Sequence, residues 1–348
     1  MTRSSAGRLF EDFTPGLVLG HPVPRTVTTG DVALHLALTG SRNALHASDP
    51  LARGLGLPAA PVDDLLVFHL VFGRSVADVS LNAVANLGYA DCRFLDPVFP
   101  GDTLSATSAV IGAKRNSNRS TGTVWVRTTG TNQHGRAVLE FVRWVMLPVR
   151  DPAAPAPAPD PVVPVLPDAV AVPRLVVPPG LSFAGLDPGS AGIRHFWEDY
   201  APGERIDHID GTTVEEAEHA LATRLYQNPA RVHFDARAAR EGRFGRRLVY
   251  GGHVISIARA LSWNGLEGAL RMAAIHGGRH AAPCFAGDTV YAWTEVLSVD
   301  PVPGRTDLGA LRLATRAVRD RPCADFPADG PDLLLALDYT VLAARRMQ

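Results

Sequence analysis

Cysteine, lysine and excess charge of either sign are all scarce in this sequence, and the first and last of these scarcities each exclude a class of protein. Three cysteines (Cys92, Cys284, Cys323) in 348 residues cannot build a disulfide framework and show none of the short paired spacings of a zinc site. No metal is expected, and a reducing compartment, the cytoplasm, is. Lys+Arg 34 against Asp+Glu 35 gives a formal net charge of −1, which supplies no field to hold a polyanion, so nucleic acid is not an expected partner. Lys114 is the sole lysine, which reads as genome composition bias. No window offers about 18 uninterrupted apolar residues, and the opening MTRSSAGRLFEDFTPG meets Asp12 and Pro15 before any apolar stretch could serve as a signal peptide. A protein that is neither exported nor partnered with a membrane is the expectation. Apolar residues at 46% still suffice for folded cores.

Proline is plentiful, and unevenly placed. Of 28 prolines, 11 fall between Pro148 and Pro179, a run that cannot form helix or interior strand and reads as an extended, semi-stiff connector over residues 148–181. It separates two nearly equal parts, 1–147 and 182–348. These parts repeat one another. Phe10-Glu11-Asp12-Phe13-Thr14-Pro15-Gly16 returns as Trp197-Glu198-Asp199-Tyr200-Ala201-Pro202-Gly203 with an offset of 199 − 12 = 187. Thr26-Val27 returns as Thr213-Val214 and His46 as His233 at the same offset, while PVFPGDTL at 97–104 returns as PCFAGDTV at 283–290 and Arg93 as Arg279, with 283 − 97 = 186. Several anchors on one diagonal with a single one-residue slip indicate a tandem duplication.

Within each copy, an opening strand leads into a helical stretch (Thr29 to Leu38; Val214 to Tyr226) and a polar segment that carries the histidine. A longer, more apolar helix follows, about Asp63 to Ser75 and Gly252 to Trp263. Strands come next, with TVWVRTT at 123–129 and VLEFVRWVML at 138–147 the clearest by alternation and β-branching. The arrangement predicted is α+β: a long helix beside an antiparallel sheet, twice, with the two sheets joined edge to edge and the connector over the outside.

The segment Thr39-Gly40-Ser41-Arg42-Asn43-Ala44-Leu45-His46-Ala47-Ser48-Asp49 resembles the signature T-G-D-x-N-P-L-H-x-D of the MaoC-like, type-2 enoyl-CoA hydratase family. That resemblance implies a double hot-dog fold, two antiparallel sheets each wrapped around a central helix, and PVFPGDTL and PCFAGDTV resemble the strand motif after that helix. A narrower resemblance, to members of the family that hydrate branched dicarboxylic acyl-CoA esters, runs through PVDDLLVFH, SLNAVANLGYADCRF, NSNRSTGTVWVRTTG, YQNPARVHF, LVYGGHVIS, GGRHAAPCFAGDTVYAW and DRPCADFP. It implies a hydro-lyase acting reversibly on an acyl-CoA, with coenzyme A only as part of the substrate and no other cofactor. The family's catalytic Asp, five residues before the histidine, is absent. Ser41 stands there in the first copy and Asn228 in the second, and Asp235 alone keeps the signature's last position.

Hydration of an α,β-unsaturated thioester needs a base for water, an acid for the α-carbon and donors at the thioester oxygen. His233 is the first candidate for proton transfer, His46 the second, and Asn228 can hold water or a carbonyl. Gly251-Gly252 at a helix start can bring backbone N–H groups to a developing oxyanion. By analogy with related hot-dog dehydratases, Asp63 or Asp64, at roughly the position of Gly251-Gly252, could complete the site of His233 across the two copies; a simple helix cap is the alternative. A distal carboxylate calls for an arginine fork, with Arg231 first and Arg93 and Arg279 next. Three other functions stay open: hydration of other (R)-3-hydroxyacyl-CoA esters, a non-catalytic acyl-CoA-binding subunit, or a thioesterase. Assembly into a homo-oligomer stays open as well.

Overall fold

The computed structural model describes residues 5–153 and 161–346, so residues 154–160 of the proline-rich connector lie outside the described residues. The first repeat runs β1 (Val18–Thr26), α1 (Thr29–Thr39), α2 (Ala44–Ala47), α3 (Asp49–Gly54), α4 (Asp64–Val79), β2 (Ala85–Phe94), β3 (Thr103–Arg115), β4 (Thr121–Thr131) and β5 (Ala137–Pro148). After the short α5 (Pro188–Ala191) the second runs β6 (Arg205–Thr213), α6 (Glu216–Leu225), α7 (Ala236–Arg240), α8 (Gly251–Leu261), β7 (Ala269–His280), β8 (Thr289–Pro301), β9 (Leu308–Arg319) and β10 (Leu333–Ala344).

Local chemistry sets these elements. Thr28 caps α1 in a reciprocal box with Asp31, and Gly40, at φ 68, ends the helix in the left-handed conformation that glycine adopts without strain. Asp63 caps α4 by accepting from the Leu65 N–H at 2.9 Å. Strands such as β3 alternate buried and half-buried residues along most of their length, presenting one face to the helix.

All ten strands form one antiparallel sheet in the order β1-β3-β4-β5-β2-β7-β10-β9-β8-β6. The order reads the same in each half from the outer edge inward, and the halves meet where β2 pairs with β7 through Cys92↔Ile275 and Arg93↔Ala274. Helix α4 packs on the first half of the sheet and α8 on the second. Their apolar faces merge into one core spanning both repeats, including Phe68, Phe72, Phe141, Tyr226, Tyr250 and Ile255. This is a double hot-dog. In the described part of the connector, Val162 bridges to Ala113 and the Val170 N–H donates to His276 Nδ1 at 2.9 Å; just beyond it, Phe183 is buried with its N–H on the Asp307 carboxylate.

Candidate active site

The two copies hold their histidines by the same backbone device. His46 Nδ1 lies 3.1 Å from the Pro61 carbonyl and His233 Nδ1 lies 2.9 Å from the Leu248 carbonyl, with 248 − 61 = 187. A carbonyl only accepts, so Nδ1 carries the proton in both and Nε2 is the atom turned to whatever faces it. What faces it differs. The helix starts align as Asp63 with Tyr250 and Asp64 with Gly251, since 250 − 63 and 251 − 64 are both 187. The match anticipated from the sequence, Asp63-Asp64 against Gly251-Gly252, is therefore one residue out.

At the first histidine this places carboxylates. Asp64 Oδ2 is 3.6 Å from His46 Nε2, accepts from the Met272 N–H at 3.0 Å, and its Oδ1 is 3.4 Å from Arg271. Burial works against a charge on His46, but the Asp64 and Asp63 carboxylates outweigh it and raise its pKa above the ordinary value. Burial opposes ionisation of Asp63, yet His35, 3.7 Å away, and His46 hold its pKa below the usual carboxylate range. The space beside His46 is about 20 Å³, the size of a water site. Asp63, Asp64 and Arg271 thus gather around this histidine, beside a space far smaller than the one at the second.

At the second histidine the equivalent helix start is glycine, and a cavity of about 620 Å³ opens. His233, Asn228, Tyr250, Gly251 and His280 line it from the second repeat, while Phe72, Ser80, Tyr89 and Arg143 line it from the first. Desolvation lowers the His233 pKa to about 4, against the smaller opposing effect of the Leu248 carbonyl, so near neutral pH the ring is uncharged and its Nε2 is a lone-pair base. Asn228 Oδ1 accepts from the Ala230 N–H at 3.0 Å, and among the described residues its amide NH₂ has no protein partner. The buried Tyr250 hydroxyl has none either; its ring centroid is 5.6 Å from that of His233.

Close approach explains the glycines. A Cβ on Gly251 would stand 2.5 Å from the His280 ring and one on Gly252 2.5 Å from the Tyr250 ring, so larger residues would push both rings into the cavity. Gly251 begins α8, where the first N–H groups have no carbonyl within the helix to bond. In the first repeat, Gly73 of α4 lets that helix meet the turn carrying Asn228. Its Cβ would be 3.1 Å from the Tyr226 carbonyl carbon and closer still to the oxygen.

The remaining sequence candidates fall elsewhere. Asp63 and Asp64 do not line the His233 cavity, because each central helix begins beside the histidine of its own repeat rather than that of the other. None of the three arginines proposed for a distal carboxylate lines it. Arg231 is on the exposed side of its turn, and Arg279 is exposed because its neighbour His280 takes the inward position on β7. Arg93 pairs with Glu140 at 3.4 Å, turned away by a break in the β2 register between Ala90 and Arg93, where Asp91 sits at φ 46. Arg143, fully buried in β5, was not anticipated, although a signal existed: Phe141, Arg143 and Val145 alternate on one face of an apolar strand. Among the described residues no group of three or more His, Cys, Asp or Glu is placed to hold a metal ion, and no helix is long and apolar enough to cross a membrane.

Two hot-dog units with a histidine facing a cavity walled by both define the MaoC-like class. Over their full lengths the chain superposes on the crystal structure of a MaoC domain protein dehydratase from Chloroflexus aurantiacus, with a TM-score of 0.96 and 56% identity. It also matches a double hotdog protein of Mycobacterium tuberculosis, with a TM-score of 0.74, 26% identity and coverage of 97% of this chain and 98% of that one. The family model described as mesaconyl-CoA hydratase matches residues 2–323. The chain is 57% identical to the β-methylmalyl-CoA dehydratase of Chloroflexus aurantiacus, over 99% of each chain. It is also 57% identical to the mesaconyl-CoA hydratase of Cereibacter sphaeroides, over 99% of this chain and 100% of that one. The chain belongs to the mesaconyl-CoA hydratase family.

Proposed function

We propose that this chain catalyses the reversible hydration of mesaconyl-CoA to β-methylmalyl-CoA, with His233 as the acid–base residue. The observation that carries the site assignment is the pairing of an uncharged His233, its Nδ1 proton fixed on the Leu248 carbonyl, with the start of α8 in the cavity of about 620 Å³. Nε2 takes a proton from water as the water oxygen bonds to the β-carbon, the carbon that bears the distal carboxylate. The π electrons move to the thioester oxygen, where the N–H groups opening α8 and the Asn228 amide can donate. The imidazolium then returns a proton to the α-carbon, closing the thioester carbonyl and restoring neutral His233. Water is the only other reactant, no electrons are gained or lost overall, and the route draws on side chains and backbone alone. Three buried free cysteines suit a reducing cytoplasm.

The test is incubation with mesaconyl-CoA while enoyl-thioester absorbance and free thiol are followed together. Hydration removes absorbance without releasing thiol. Thiol release would make the protein a thioesterase, and no change in either would make it a binding module.

A further inference from the structure

Among the described residues, one fully buried arginine has no carboxylate partner. Among the largest fully buried side chains are two arginines. Arg271 faces the Asp64 carboxylate at 3.4 Å. Arg143 has no carboxylate within 4.0 Å among the described residues. Its Nη groups donate to two hydroxyls, Ser80 Oγ at 3.0 Å and Ser75 Oγ at 2.8 Å, its guanidinium lies 4.3 Å from the centre of the Phe72 ring, and its Nε–H has no partner. Two hydroxyls and a ring face orient a guanidinium without neutralising it, and a buried cation left in that state is costly unless an anion completes it.

No such anion comes from the cavity wall, since neither Asp nor Glu lines the space that Arg143 shares with His233. The site has even shed a carboxylate: Asn228 stands where the related signature has Asp. The second repeat has no counterpart cation. Arg143 pairs with Tyr89 on β2, and 186 residues further on Ile275 of β7 pairs with Tyr339, whose hydroxyl meets Thr315 Oγ1 at 3.0 Å. An arginine thus occupies, in one repeat only, a place that a neutral residue fills satisfactorily in the other.

We infer that Arg143 is the counter-ion for the distal carboxylate of the acyl group, held ready by Ser75 and Ser80. The inference rests on the functional reading above. It accounts for a difficulty in that reaction, because a free carboxylate on the β-carbon repels electrons arriving with the water oxygen, and a guanidinium against it relieves that repulsion. It also makes the substrate class specific: short acyl-CoA esters ending in a carboxylate, in preference to isosteres ending in a methyl.

The experiment compares mesaconyl-CoA with tiglyl-CoA, in which a methyl replaces that carboxylate, and the unreactive pair succinyl-CoA and butyryl-CoA by calorimetric titration. Wild type should prefer mesaconyl-CoA by roughly a hundredfold or more in kcat/KM and bind succinyl-CoA at least about tenfold more tightly than butyryl-CoA. In Arg143→Met both preferences should collapse to within about threefold, and Arg143→Lys should recover part of the binding preference but not the whole, lacking the fork. Equal binding of succinyl-CoA and butyryl-CoA by wild type would overturn the inference even if Arg143→Met failed to fold. So would an Arg143→Met enzyme that kept its preferences. A wild type that discriminated between the binding ligands yet left mesaconyl-CoA unhydrated would refute the hydratase reading and leave the carboxylate site standing.

Discussion

Replacing Gly73 by alanine tests whether contact between the repeats holds the site together. The added Cβ would fall 3.1 Å from the Tyr226 carbonyl carbon, 3.3 Å from the Asn228 nitrogen and closer still to the Tyr226 oxygen. These are backbone atoms of a turn fixed by Gln227 at φ 53 and by the Arg74 hydrogen bond to Gln227 Oε1, so no rotamer change relieves the overlap. Alanine favours the helix by about 1 kcal/mol, while overpacking costs roughly 1–3 kcal/mol and more where backbone must move. The clash should win, with a net loss on the order of 1–3 kcal/mol and a fall in Tm of about 2–4 °C per kcal/mol. Because the displaced turn carries Asn228, kcat should fall as well, by up to about a hundredfold for a shift near 1 Å. The measurement is calorimetry beside steady-state kinetics, with Gly54→Ala, where a Cβ meets nothing within 4 Å, as the control expected within about 0.5 kcal/mol of wild type. A Gly73→Ala enzyme with wild-type Tm and full activity would refute the idea that α4 holds the turn of Asn228 in place.

His233→Ala should lower kcat by roughly 10²–10⁴ with little change in KM, and His46→Ala should lower Tm more than it lowers kcat; the reverse ordering would move the site to the first repeat. Asp64→Asn leaves Arg271 and His46 without their carboxylate, so stability should drop by about 3 kcal/mol while kcat per folded molecule stays near wild type. Asn228→Asp puts a negative charge beside the thioester oxygen, where enolate charge develops, and kcat/KM should fall about tenfold or more for mesaconyl-CoA and tiglyl-CoA alike. Burial lowers His233, His276 and His280 each to about 4 in the folded chain. The stability they contribute is therefore complete above about pH 6.5 and lost as pH falls toward 4, readable as a declining Tm with kcat/KM level from pH 8 to about 5.

What the sequence made legible was whatever repeats or alternates. The predicted helix Thr29–Leu38 is observed as α1, ending one residue later, and TVWVRTT and VLEFVRWVML lie inside β4 and β5. The double hot-dog followed from that pattern and from the signature around His46. Less legible was anything set by an irregularity. The register break at Asp91 turns Arg93 away from the cavity, and a one-residue difference in where the central helices begin aligns Asp63 with Tyr250 rather than with Gly251. Arg143 sat in plain view on an apolar face, but its meaning depends on which carboxylates are absent around it, and that is a property of the packed chain.

The divergence of the two repeats comes down to a few atoms at equivalent helix starts. Both histidines present Nδ1 to a backbone carbonyl, so the fold fixes their tautomer and orientation before any catalytic residue is considered. Where the next helix opens with Asp63 and Asp64, the ring is drawn toward the charged form and little space is left beside it. Where it opens with Tyr250 and Gly251, burial leaves the ring neutral, and the missing side chain makes room for His280 and for a ligand. A base must be uncharged and reachable, and a structural lock must be paired and enclosed. On the proposed reading, one duplicated framework meets both demands because the charge at the helix start, not the histidine itself, sets the two copies apart.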